Sequence, residues 1–386
     1  MNVGIFLKSR SQTEGGGYTL TYDILTTLLE NLKSYKCNFF FVFVNNIPKE
    51  IEILLKKNKI KYINIFEIEA IAKITNFFFS RFFLFYKIYN FLNLNKTDDY
   101  FRKNHVDVIW PLSSEMRFPF SIPYIFTLWD LQHKTIPEYK EVGSFFTKTY
   151  REQLVRANLA QSKYIITGNK FGKKEILKYY NINKNKIILN CHPTPSWVLN
   201  IKKNNFHKKK KLNNFFLYPA NFWAHKNHLN LIKGFSIFNR IKKNKFKLIL
   251  VGNIVDRNNF KKIKKYIMKD KINSYIKIFG FVKRKTLVDL YDNCIALVYL
   301  SVSGPENLPP LEAFARGKPV LYSNFEGSKD QLKNLPVYVD HFNPADIARG
   351  MNLILKKKIK PNKFINFARS RNSKKYINKI IKTLKK

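Results

Sequence analysis

The stretch SVSGPENLPPLEAFARGKPVLYSN (301–324) decides the fold. The apolar run before it, CIALVYLS (294–301), reads as a buried strand, and a Gly/Pro/Asn loop follows. Pro309-Pro310 then opens a short helix, expected over 311–315 and closed before Gly317. KPVLYS (318–323) returns as a second strand. Strand, loop, helix and strand in that order make a parallel α/β unit.

The pattern repeats outward in both directions. Towards the C-terminus come PVYVD (336–340) and helical stretches near 344–357 and 363–386. Towards the N-terminus lie FFLYPA (215–220), a helix over 229–242, FKLILVGN (246–253), a basic helix over 258–269 and YIKIFGFV (275–282). The segment 200–214, NIKKNNFHKKKKLNN, is Lys/Asn-rich and reads as a solvated connection. Before it a second series alternates VGIFL (3–7), a helix near 18–33, CNFFFVFV (37–44), IKYINIF (60–66), VDVIW (106–110) and PYIFTLWD (123–130). A helix near 146–160, KYIITGN (163–169), a helix near 170–180 and KIILN (186–190) complete it. The fold class is therefore α/β, with two Rossmann-like domains and a cleft between them. The expected limits are 1–200 for the first domain, 201–213 for the linker, 214–362 for the second domain and 363–386 for a last helix able to cross back to the first. Ligands of open α/β sheets bind beyond the carboxyl ends of the strands, so post-strand loops should carry the site.

Composition excludes several classes. With 386 residues, 45% hydrophobic and 16% aromatic, the chain can bury large cores and is not globally disordered. Cys37, Cys191 and Cys294 are odd in number and widely spaced, against a disulfide framework or a structural zinc site. The N-terminal apolar run is too short for a signal peptide and no uncharged apolar stretch reaches spanning length, which points to a cytoplasmic protein, soluble or peripheral. Seventy Lys+Arg against 26 Asp+Glu leave a formal charge of +44. An A/T-rich genome alone would enrich Lys, Asn, Ile and Phe in this way; a selective reading invokes nucleotide diphosphates or an anionic membrane surface. No nucleic-acid-binding motif accompanies the charge, so no specific nucleic-acid partner is expected. The segment 74–92, aromatic with Arg81 and Lys87 inside it, reads either as a buried helix or as an interfacial one.

Four post-strand loops hold the unusual residues. In SQTEGGGYT (11–19), Gly16 and Gly17 belong to a glycine run that either lets the backbone approach a phosphate or sugar or forms a plain flexible turn. WDLQH (129–133) supplies Asp130 and His133, an acid and an imidazole whose spacing fits a structural Asp and an exposed His as well as a catalytic pair. YPANFWAHKNH (218–228) holds Asn221, a donor-binding candidate, and places Lys226 before a helix start, a good position for neutralising a diphosphate. His225 and His228 lack the third ligand that a metal would need, so no metal is expected. In the opening stretch, Gly304, Glu306, Asn307 and Leu308 lead into the helix, and Glu312 is expected in its first turn, near free amides, either able to accept ribose hydroxyls or favoured there by the helix dipole alone.

The run NLPPLEAFARGKPVLYSN resembles the signature of family 4 retaining glycosyltransferases, which have the GT-B fold of two facing Rossmann-like domains. FWAHKNHLNLIKGF, GFVKRKTLVDLYDNCIALVYLS and TLWDLQHKTIPEY resemble the family's other blocks in the right order, from Gly15 to about position 340. The resemblance implies that Glu312 holds the nucleotide ribose, that Lys226 neutralises the diphosphate, and that the backbone of Asn307 and Leu308 lies under the distal phosphate. It places the glycine loop before the donor phosphates and acceptor, and Asp130 and His133 among active-site polar groups of the acceptor half. Two positions depart from the family pattern. Its second Glu, eight residues before the ribose Glu, is Gly304 here with Glu306 displaced by two, and its Arg before the diphosphate Lys is replaced within Ala220-Asn221.

The implied activity is retaining, metal-independent transfer of a hexose, mannose from GDP-mannose being the first choice, to a glycan or lipid-linked acceptor. The implied setting is assembly of bacterial surface polysaccharide such as lipopolysaccharide O-antigen. No cofactor beyond the nucleotide sugar is implied. The rivals are a non-catalytic carbohydrate- or nucleic-acid-binding protein and a nucleotide-sugar epimerase. Of the two loop glutamates, Glu312 is expected to govern donor affinity and Glu306 to lack an anchor.

Overall fold

The computed structural model describes residues 1–9, 15–66, 96–113, 120–201, 214–358 and 360–385. The segment 74–92 and most of the Lys/Asn-rich stretch 201–213 lie outside the described residues. Two compact units emerge: Met1–Cys191 with Ser373–Lys386, and His192–Asn372.

In the first unit, β1 (Asn2–Lys8), β2 (Asn38–Val44), β3 (Tyr62–Ile65) and β4 (Val108–Pro111) form a parallel sheet in the order β3-β2-β1-β4. A parallel bridge from Ile109 to Tyr124 leads on to a second parallel sheet, β5 (Ile125–Thr127), β6 (Tyr164–Thr167) and β7 (Ile187–Leu189), in that order. Parallel strands are covered on both faces, which is why VGIFL and NFFFVFV read as continuous apolar runs instead of alternating ones. Ile5 pairs with Phe41 on one side and Trp110 on the other, and all three are buried.

The second unit carries one six-stranded parallel sheet, β10-β9-β8-β11-β12-β13. Its strands are β8 (Phe215–Pro219), β9 (Lys247–Val251), β10 (Ile276–Phe279), β11 (Ala296–Tyr299), β12 (Val320–Ser323) and β13 (Val337–Val339). Strand order reverses between β8 and β11, the point beyond which open α/β sheets bind ligands. The helix His228–Ile241 packs closely on Pro344–Lys356: a Cβ on Gly234 would fall 2.6 Å from Ile347.

Helix limits mostly fall within a few residues of expectation, as at Phe145–Gln161 and Arg257–Lys269. The stretch expected as a single helix over 363–386 is instead two, Pro361–Ser370 and Ser373–Leu384. Arg371 leaves helical dihedrals (φ −105°, ψ 76°) with its guanidinium on Glu306, and Asn372 Nδ2 donates to the Arg369 carbonyl (3.2 Å). The last helix belongs to the first unit, where Ser373 Oγ donates to Asp23 and Asn190 Nδ2 donates to the Tyr376 carbonyl (3.2 Å).

Candidate active site

The two loops that flank the strand-order reversal of the second unit hold most of the expected donor-binding residues. After β8 the chain runs through Asn221, whose carboxamide oxygen accepts the Asn253 amide (2.9 Å) while the Phe222 amide donates to the Asn253 carbonyl (2.9 Å). Gly252 permits this closeness, since at φ 151° its missing Cβ would lie 2.3 Å from the Ala220 carbonyl. Asn221 thus fastens its loop to the loop after β9. A 3-10 turn, Ala224–Lys226, and a left-handed Asn227 (φ 58°) then aim Lys226 before the helix His228–Ile241. Lys226 Nζ donates to Ser301 Oγ (3.2 Å) and stands 5.7 Å from the centre of the Tyr299 ring. Ser301 Oγ donates onward to the Ser303 carbonyl (3.0 Å), and the Val302 amide donates to the His225 carbonyl (3.0 Å), so the two loops are tied together. His228 is packed between Phe222 and Tyr218, and burial pushes its pKa down to about 3, which keeps it neutral. Among the described residues no cluster of three His, Cys, Asp or Glu side chains suits a metal ion.

The loop after β11 departs from expectation in three ways. The helix begins at Leu308 and runs to Ala315, so Glu312 is its fifth residue and lies in the second turn. Pro309 and Pro310 have no amide hydrogen, and the Asn307 amide already donates to Gln331 Oε1 (3.0 Å). Within 307–310 that leaves the Leu308 amide to meet an anion, instead of a row of free donors. Thirdly, Glu306 is anchored: its side chain is 1% exposed, ion-paired with Arg371 Nη2 (2.8 Å), and it accepts the His192 amide (2.7 Å). Gly304 takes φ 117°, and its carbonyl accepts from Asn307 Nδ2 (3.2 Å).

Glu312 is buried, and its Oε2 accepts a hydrogen bond from the Tyr291 hydroxyl (2.6 Å). Burial pushes its pKa up to about 7, against the lowering pull of Tyr291 and of the Arg284 charge. Burial and the neighbouring carboxylate raise Tyr291 well above the ordinary phenol, so it stays a donor. A buried carboxyl with one oxygen held by a phenol suits the recognition of paired hydroxyls.

The candidates of the first unit separate into two networks. Gly16 and Gly17 are the first residues of the helix Gly16–Glu30, preceded by Gly15 at φ 84°. Asp130 pairs with Arg151 and accepts the Gln132 amide (3.1 Å). His133, read as an exposed imidazole in the structural alternative, is fully buried, with Nε2 3.0 Å from Glu152 Oε2. Burial lowers its pKa, outweighing the raising effect of Glu152. Burial raises Glu152 in turn, yet Lys134, Tyr180, His133 and Arg156 together hold it down at about 2. His133 and Asp130 both lean on the helix Phe145–Gln161, the first through Glu152 and the second through Arg151. Tyr291, Gln331 and Arg371 carry no motif, and sequence reading did not single them out.

Residues 200–371 match the family described as Glycosyl transferases group 1. The O-antigen chain mannosyltransferase RfbU of Salmonella typhimurium LT2 is 28% identical over 204 residues, 53% of each chain, so the match spans about half the length of that curated relative. Anabaena Alr3699/HepE, solved in complex with UDP and glucose, superposes with a TM-score of 0.70 at 13% identity over 99% of both chains. WaaG, described as a glycosyltransferase involved in lipopolysaccharide biosynthesis, gives 0.63 at 12% identity over 97% of this chain and 95% of its own. These likenesses, with the parallel sheets and their strand order, show an α/β protein of the GT-B fold whose residues 200–371 match the glycosyl transferases group 1 family.

Proposed function

We propose that the chain is a retaining hexosyltransferase that uses a nucleoside diphosphate sugar and acts on a glycan or lipid-linked saccharide during surface polysaccharide assembly. Mannose from GDP-mannose is the first-choice donor, in keeping with the mannosyltransferase similarity. The observation that carries the reading is the set of groups around the strand-order reversal of the second unit. Lys226 from one loop, the Leu308 amide from the other and the carboxyl of Glu312 supply, in turn, a cation, an oriented dipole and a ribose-hydroxyl acceptor.

The chemical barrier is departure of a diphosphate from an oxocarbenium-like centre. Preorganised donors stabilise the charge that develops, each worth about 2.7–4 kcal/mol. Lys226 is braced on Ser301, so it need not reorganise at that moment. In this reading no metal takes part, because Lys226 and the amide supply the charge stabilisation. An epimerase would need free acid and base carboxylates. Glu306 is bound to Arg371 and Glu312 to Tyr291, which favours transfer over epimerisation. Among the described residues no helix is long and apolar enough to cross a membrane. The reading places the protein in the cytoplasm, at the inner face of the membrane, held by its surplus positive charge.

The test is a thermal-shift panel of GDP-, UDP-, dTDP- and ADP-sugars, since a ligand at 100 times its dissociation constant stabilises by about 2.7 kcal/mol. The preferred donor is then incubated with saccharide acceptors and the anomeric configuration of the product is read by NMR. Transfer with retention, unchanged by EDTA, is the expected result. An inverted product, an altered sugar nucleotide or activity that returns only with added Mn²⁺ would each overturn a stated part of the reading.

A further inference from the structure

Glu306 is the residue that the family pattern does not place, and its surroundings give it a role. Its two oxygens reach opposite ends of the second unit's own chain: Oε2 accepts the amide of His192, the unit's first residue, and Oε1 meets Arg371, its last residue but one. The Arg371 backbone is fixed by the Thr194 amide, which donates to its carbonyl (2.6 Å). From the same guanidinium, Nη1 donates to the carbonyl of Gln331 (3.2 Å). The buried Gln331 side chain brackets Asn307: Oε1 accepts the Asn307 amide (3.0 Å), and Nε2 donates to the Asn307 carbonyl (2.7 Å). The Asn307 carboxamide donates in turn to the Tyr322 hydroxyl (2.8 Å). A continuous run of charge-assisted and amide hydrogen bonds therefore connects Arg371 to the peptide immediately before the Leu308 amide.

We propose that Glu306 and Arg371 are a positioning pair that sets the Asn307–Leu308 backbone for the distal phosphate of a nucleoside diphosphate, and that Glu306 is not a sugar ligand. The proposal rests on the donor reading given above. Removing one member of a buried ion pair strands the other charge, so either substitution releases the loop through Gln331. The effect falls on the phosphate that the loop faces, and not on the base or the ribose.

The experiment measures dissociation constants of GDP, GMP, UDP and UMP by calorimetry for the wild type, R371M, R371K and E306Q, with melting temperatures recorded beside them. R371M and E306Q should weaken the better diphosphate by at least about fivefold and shift its monophosphate by less than about twofold, with R371K in between. An equal loss for diphosphate and monophosphate, or an unchanged diphosphate affinity, would overturn the proposal. So would an E306Q loss that appears for GDP-mannose or UDP-glucose but not for GDP or UDP, because Glu306 would then touch the sugar. Should R371M fail to fold, R371K and E306Q carry the same comparison. Failure of the donor reading shows separately, as a wild type that binds none of the four nucleotides.

Discussion

Replacing Tyr291 with Phe tests how the buried Glu312 recognises the donor. Burial lifts this carboxyl from 4.5 to about 7, a rise worth roughly 3 kcal/mol. Its ionised form is the better acceptor for ribose hydroxyls, so donor affinity should be highest above about pH 7 and fall by up to tenfold per pH unit below it. The Tyr291 hydroxyl is the donor that favours ionisation. A hydrogen bond to a charged group contributes about 1.5–3 kcal/mol, so its loss moves the break upward by about 1–2 pH units. At about pH 7.5 the variant should bind roughly three- to twenty-five-fold more weakly, and the gap should close as pH rises. Calorimetry with a nucleotide sugar reads this cleanly, because its diphosphate diester keeps its charge over that range. Stability changes with the opposite sign. A carboxyl raised on folding contributes fully below about pH 4.5 and loses that contribution as pH rises through about 7, so Tyr291→Phe should destabilise more at about pH 8 than at about pH 6. A break in the same place in the variant, or one that persists in Glu312→Gln, would refute the reasoning.

Lys226→Ala should reduce turnover by roughly 10²–10³-fold with an unchanged circular dichroism spectrum, since it removes a charge used mainly in the transition state; near-wild-type turnover would unseat Lys226. The protein should sediment with anionic vesicles at low salt and release at about 0.5 M salt, because screening shortens the reach of exposed charge. Absence of sedimentation at every salt concentration would favour genome composition as the source of the +44 charge.

The α/β class was legible because parallel strands, covered on both faces, write themselves as apolar runs separated by helical periods. The site loops were legible too, since Gly, Pro and Asn concentrate where β8 and β11 end. What could not be read was the partner of each polar group. Tyr291 precedes Glu312 by 21 residues and Arg371 follows Glu306 by 65, distances that no local pattern spans. Glu306 looked unanchored for that reason, and the break at Arg371 was invisible because no proline or glycine marks it. The spacing left His133 open between an exposed and a catalytic imidazole because its partner, Glu152, lies 19 residues further on. The double proline misled in a subtler way. It marks the first turn correctly, but the helix starts one residue before it and moves Glu312 out of that turn.

The last helix, Ser373–Leu384, completes the first unit, with Ser373 bonded to Asp23 and the Lys385 ammonium on the Tyr35 carbonyl (3.2 Å). Synthesis on the ribosome is therefore out of step with assembly. Residues 1–191 emerge first but lack the helix that packs on Gly16–Glu30, whereas His192–Asn372 is contiguous and can close as soon as it clears the exit tunnel. At about 5–20 residues per second, the 181 residues between take on the order of ten to forty seconds to make. Over that interval the Asp23 side of the helix Gly16–Glu30 waits for the cover that Ser373–Leu384 later supplies. The interval makes the first unit, though translated first, the client with the longer need of a chaperone.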